Sequence, residues 1–193
     1  CLNTAGRGAM SNVQAGRLRK TELLFEDRKH FINLLKTDIT VFNRRTINRA
    51  IQPCVRLDGT SDNQFERFGI MEQFPAVQFY DYTKIVKRAY KKLPSNYHLT
   101  LSYSEANPEY ANEVKQAVDD TGVNMAVVFG VKSADDFPAT FRGLPVINGD
   151  KDDLRFLDPA HCVVGLIAKG KAKKDTSGFV VHPNEDGTWG RLA

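Results

Sequence analysis

The stretch YHLTLSYSEANPEYANEVKQAVDDTGVNMAVVF, residues 97–129, decides the fold. Tyr97–Ser102 reads as a strand. Asn107 followed by Pro108 is a helix start, because an Asn side chain accepts from the amides of the first turn and a proline there gives up no hydrogen bond. The helix is expected to run to Asp120 and to stop at Gly122. Asn124–Phe129 is almost continuously apolar, the pattern of a strand covered on both faces as in a parallel sheet. A strand, a helix and a buried strand in succession predict parallel pairing through a right-handed crossover.

The same alternation extends outward in both directions. Upstream, Ser11 to about Asn48 carries apolar residues at helical spacing and predicts two helices with a break between Phe25 and Lys29. Pro53 then precedes a short strand, Cys54–Asp58, a turn over Gly59–Asp62 and a short helix through Phe65, Phe68 and Met71. Val77–Asp81 is the next strand, and Tyr82-Thr83 leads into a helix expected from Lys84 to Lys92. Downstream, Leu144–Ile147 and Cys162–Ala168 read as buried strands joined by a loop, and Phe179-Val180-Val181 as a small terminal strand. The fold class is therefore α/β, with a mostly parallel sheet of about six strands and an N-terminal helical segment. A partial or distorted βα-barrel is favoured, with an open doubly wound sheet as the alternative. Residues 1–193 read as a single α/β domain.

Composition narrows the classes. With 193 residues and 41% hydrophobic content the chain has enough apolar material for a core without a disulfide framework. Three cysteines, Cys1, Cys54 and Cys162, are far apart and show no CxxC spacing, which predicts a reducing compartment and buried thiols at positions 54 and 162. No run approaches the roughly 18 apolar residues of a membrane span, so the reading is cytoplasmic, with no membrane partner. A net charge of +4 and a pI near 8.9 favour anionic partners.

In parallel α/β folds ligands bind at the carboxyl ends of the strands, so the residues after each apolar run are the candidates. The first strand offers Asp58, Ser61 and Asp62, carboxylates and a hydroxyl suited to a cation or ribose hydroxyls, or simply to capping a turn. The second offers Asp81, Tyr82, Thr83 and Lys84 as a substrate-binding turn, or a solvated pair at a helix start. Ser102, Ser104 and Asn107 follow the third strand, and Lys169 follows the last. Lys84, Lys87, Arg88 and Lys91 would share one face if the segment is helical, suiting phosphate or plain solvation. The run from Lys169 to Lys174 is similar, with Gly170 able to bring backbone amides near a phosphate. The four histidines show no metal-ligand spacing, and no P-loop, GxGxxG, HExxH or GxSxG occurs. Catalytic residues are not assigned.

Taken together, CLNTAGRGAMSNV, VRLDGTSD, FYDYTK and HLTLSYSEAN resemble a group of phage-encoded proteins related to the family called gene product 88, from Cys1 to about Val181. The resemblance implies a radical S-adenosylmethionine-like partial barrel in a phage-infected or prophage-carrying bacterial host. It implies that Cys1 is the last ligand of an iron–sulfur cluster, with the other cysteines and a further strand upstream. A cluster needs several thiolates; the expectation is an iron–sulfur cluster with S-adenosylmethionine in a longer chain, and no cofactor and no activity in this one. Two functions stay open. One is a radical S-adenosylmethionine-like enzyme acting on a nucleotide or nucleic acid; the other is a non-catalytic nucleic-acid- or partner-binding module. Oligomeric state is left open.

Overall fold

In the computed structural model, which describes residues 5–191, the segment that decides the fold forms as expected. β3 (Tyr97–Ser102) and β4 (Asn124–Phe129) pair in parallel, with Thr100 opposite Asn124 and Ser102 opposite Ala126. Between them α4 (Pro108–Thr121) is capped by Asn107, whose side chain accepts from the Tyr110 amide, and ends at a left-handed Gly122. α4 turns Ala111, Val114, Ala117 and Val118 inward against Leu101, Met125, Val127 and Phe129. All six residues of β4 are buried.

The remaining strands are β1 (Cys54–Val55), β2 (Gln78–Thr83), β5 (Thr140–Phe141), β6 (Leu144–Asn148), β7 (Val163–Ile167) and β8 (Val180–Val181). The sheet has eight strands in the order β1-β2-β3-β4-β7-β6-β5, with β8 beside β4. Only the β5–β6 pair is antiparallel among the pairings resolved. The sequence expectation of about six strands omitted β5, a two-residue strand with no apolar run of its own. The short strand expected near Phe179–Val181 is present as β8.

The described residues group into two compact units, one containing the chain up to Phe79 with Leu93–Tyr97, the other Tyr80–Lys92 with the chain from His98 onward. In the first unit, α1 (Ser11–Glu26) and α2 (Arg28–Ile47) are separated by the single residue Asp27, whose carboxylate caps α2 by accepting from the His30 amide. The predicted break thus falls on a residue that can cap. Ile32, Ile39 and Thr46, seven apart, form the buried line of α2. The helix expected through Phe65, Phe68 and Met71 divides into a 3-10 turn, Phe65–Phe68, and the short α3 (Ile70–Gln73), separated by left-handed Gly69. Asn96 holds the end of α3 to the start of β2, its Nδ2 lying 2.9–3.1 Å from the carbonyls of Met71, Phe74 and Val77.

In the second unit β7 lies along one edge of β4 from Met125 to Phe129. The other edge is shared. β3 occupies it as far as Ala126, and β8 takes over at Val128 and Phe129. The handover is made by backbone bonds: the Tyr103 amide still donates to Ala126, but the Glu105 amide donates to Gly178, just before β8. The helix expected from Lys84 to Lys92 is absent; only a 3-10 turn, Val86–Arg88, forms. An isolated helix of that length is marginal in water. Here Val86 and Ala89 pack on the core of α4 and β4, and Arg88 is fully buried, so no four-cation face exists. None of the helices is long and apolar enough to cross a membrane among the described residues.

Candidate functional site

The strand-end polar residues are divided between the two units. In the first unit Asp58 is 2% exposed and accepts from Ser61 Oγ at 2.6 Å and from Asn63 Nδ2 at 3.1 Å. Burial pushes its carboxyl above the usual range, with these hydrogen bonds acting against the shift. The Asp58–Ser61 bond closes a turn, the capping alternative recognised in the sequence. Asp62 lies apart from that bond, lining a cavity with Arg28 and Arg67.

In the second unit β2 runs two residues past its expected end, to Thr83. Aromatic and β-branched residues favour extended backbone, which explains why Tyr82 and Thr83 continue the strand. Alternation then sets Asp81 and Thr83, both buried, on the opposite face from Tyr82, which packs against Ala126, Cys162 and Val164. Thr83 Oγ1 accepts from the Ile85 amide at 3.0 Å, turning the chain outward at Lys84. Asp81 and Thr83 therefore lie on one face of β2, Tyr82 lies on the other, and Lys84 follows the end of the strand.

The end of β3 is closed by the C-terminal segment. Glu105, 4% exposed, accepts from the Tyr103 hydroxyl at 3.1 Å and from the Arg191 amide at 2.8 Å. Arg142 donates to the Tyr103 hydroxyl at 3.1 Å and to Asn112 at 2.8 Å, with its guanidinium 5.9 Å from the Tyr103 ring. Burial leads the shift that pushes the Tyr103 phenol up to about 12, so it stays a donor to Glu105. Ser104 is buried and accepts from the Ala106 amide; Ser102 is half-buried and its carbonyl accepts from the Tyr110 hydroxyl; Asn107 serves as the α4 cap. These groups lock structure. Glu105 was visible in the sequence as one more polar residue after a strand, but its Arg191 partner comes from 86 residues away, beyond any local signal.

The ends of β2, β7 and β8 instead meet at a basic corner. Lys84 is exposed, with Nζ 5.6 Å from the centre of the Phe179 ring. Phe179 packs beside Val128, Ala168, Val180 and Ala172. Ala172 belongs to the 3-10 helix Gly170–Lys174, which begins directly after β7 at a left-handed Gly170 and carries exposed Lys171, Lys173 and Lys174. Lys169 differs from its neighbours, since its ammonium pairs with Asp150, which also accepts from the Ile167 amide at 2.6 Å.

A second polar group escaped the sequence reading. Arg155 is 1% exposed and donates to the Asp152 carbonyl at 2.6 Å, while its Nε stands 3.4 Å from Asp158. His98 is held below its ordinary pKa by burial and then by the Arg155 charge, which makes it a neutral imidazole.

The described residues contain no group of three or more His, Cys, Asp or Glu placed to hold a metal, and Cys1, the expected cluster ligand, lies outside them. Cys162 is 1% exposed, donates to the Pro159 carbonyl at 3.2 Å and has a thiol pushed up to about 11, by burial first and the Asp158 charge second. A raised pKa removes the thiolate that a metal or an electrophile needs. Cys162 is expected to resist iodoacetamide at pH 8 in the folded protein and to react on denaturation; mass spectrometry of the alkylated peptide checks this. Because folding raises this pKa above its unfolded value, the thiol favours the folded state below about pH 9 and that contribution is lost as pH rises through about 11.

No curated protein and no solved structure matches the chain. The protein-family model described as gene product 88 matches residues 1–183, nearly the whole length over which these strands, helices and polar clusters are built, and the chain belongs to that family.

Proposed function

We propose that this phage-type protein binds the phosphates of a nucleotide or nucleic acid at the basic corner where β2, β7 and β8 end. The observation that carries the reading is the Lys84 ammonium over the Phe179 ring, beside the lysine-bearing 3-10 helix Gly170–Lys174. Lysines beside an aromatic ring supply what single strands require: charge along the backbone and a surface on which a base stacks. The mild basic excess of the chain acts in the same direction.

Fluorescence anisotropy with a labelled single-stranded oligonucleotide, repeated across salt concentrations, tests the reading. Lys173→Ala/Lys174→Ala is expected to weaken binding and to flatten the log–log salt slope by about 1.4, the loss of two phosphate contacts at roughly 0.7 each. Binding with an unchanged slope would remove the corner from the interface.

The enzyme reading draws support from the order β1-β2-β3-β4, since strands laid down side by side in chain order suit a partial barrel. Iron and sulfide content of the anaerobically purified protein, compared with Cys1→Ser, tests it. Equal iron in the two would rule out Cys1 as a ligand.

A further inference from the structure

The first unit contains a cavity of about 220 Å³ between the α1–α2 junction and the segment Asp62–Phe68. It exists because Asp27 interrupts the helices for one residue only, so Phe25 in the last turn of α1 and Arg28 at the start of α2 line the same wall. Arg67 and Phe68 of the 3-10 turn, with Gln64, contribute the facing wall. Phe65 anchors that wall by stacking on Phe31, ring centres 6.3 Å apart.

Two features of the lining suit a ligand. Phe25 is 72% exposed, a large aromatic side chain left in water at the cavity mouth. Arg28 and Arg67 are both exposed, and neither guanidinium has a hydrogen-bond or ion-pair partner among the described residues. With the Asp62 carboxylate also on the lining, the two guanidinium groups leave the cavity with a net positive charge and present planar forks suited to phosphate oxygens. Aromatic rings beside them offer faces for a flat heterocycle. At about 220 Å³ the cavity is smaller than the roughly 300–1,000 Å³ of drug-sized clefts, which suits one base and its phosphate rather than a dinucleotide.

We infer that this cavity is a nucleotide site, with Phe25 and Phe68 stacking the base and Arg28 and Arg67 holding the phosphate. The site stands on different residues from the basic corner and does not depend on it. The nucleotide is either free or one residue of a single strand; the phosphate and base chemistry is common to both.

Anisotropy titrations with fluorescently labelled AMP and with a labelled ten-nucleotide single strand separate these sources. Arg28→Ala/Arg67→Ala is expected to weaken binding of at least one probe tenfold or more, and Phe25→Ala about tenfold, both with unchanged thermal melting because the three side chains are exposed. Loss with AMP assigns a free nucleotide, and loss with the oligonucleotide alone assigns a strand. Lys173→Ala/Lys174→Ala is expected to keep AMP binding intact. Neither probe binding below about 1 mM, or both binding Arg28→Ala/Arg67→Ala as they bind the unaltered protein, overturns the inference. If oligonucleotide binding responds only to the lysine substitutions, the corner stands and the cavity does not.

Discussion

Val127→Asp and Val164→Asp are each expected to abolish soluble folding. Both valines are fully buried, Val127 in the core beneath α4 and Val164 with Ala126 and Cys162 on the other face of the sheet. A carboxylate at either place would lie among apolar side chains. Burying it unpaired, or protonating it there, costs several kcal/mol, comparable with the 5–15 kcal/mol that stabilises a typical domain. Expression followed by separation of soluble and insoluble fractions checks the result, with Val127→Ile and Val164→Ile as controls expected to remain soluble. A soluble Asp variant with a cooperative melt would place the residue outside the core.

Gly178→Ala is expected to destabilise the second unit by on the order of 2–3 kcal/mol. Gly178 holds φ at +100°, where side chains are strained, and a Cβ there would stand 2.9 Å from the Ala106 nitrogen and the Glu105 carbonyl carbon. Those are backbone atoms and cannot rotate away. Movement of Gly178 would break the Glu105 amide bond to its carbonyl, 2.8 Å, and disturb the handover from β3 to β8 along β4. Urea denaturation measures the loss. The neighbouring exposed Ser177→Ala provides the comparison, expected to cost less because it removes only side-chain bonds to Asp175 and the Phe179 amide. Equal effects would show that the close approach at position 178 carries no special constraint.

Gly190 is constrained differently: its φ is +79°, and a Cβ there would press on the Glu105 side-chain carboxylate, which accepts from the Arg191 amide. Glycine at both positions lets the C-terminal segment reach the end of β3.

Local chemistry determined much of the fold directly from the sequence. Asn107 and Gly122 bound α4 because a cap and a left-handed stop are properties of single residues, and the unbroken apolar run of β4 requires cover on both faces. The helix break at Asp27 and the parallel β3–β4 pair follow from equally short-range patterns. Tertiary structure decided what depended on distant partners. Arg88 belongs to a short turn and lies buried rather than on a basic helix face, because packing of Val86 and Ala89 outweighs weak local helix propensity. Glu105 became a lock when Gly190 and Arg191 returned to it, and Lys84 gained its place over Phe179 through chain closure across nearly a hundred residues. Periodicity records which face of an element is covered, whereas the identity of what covers it is set only when the whole chain packs.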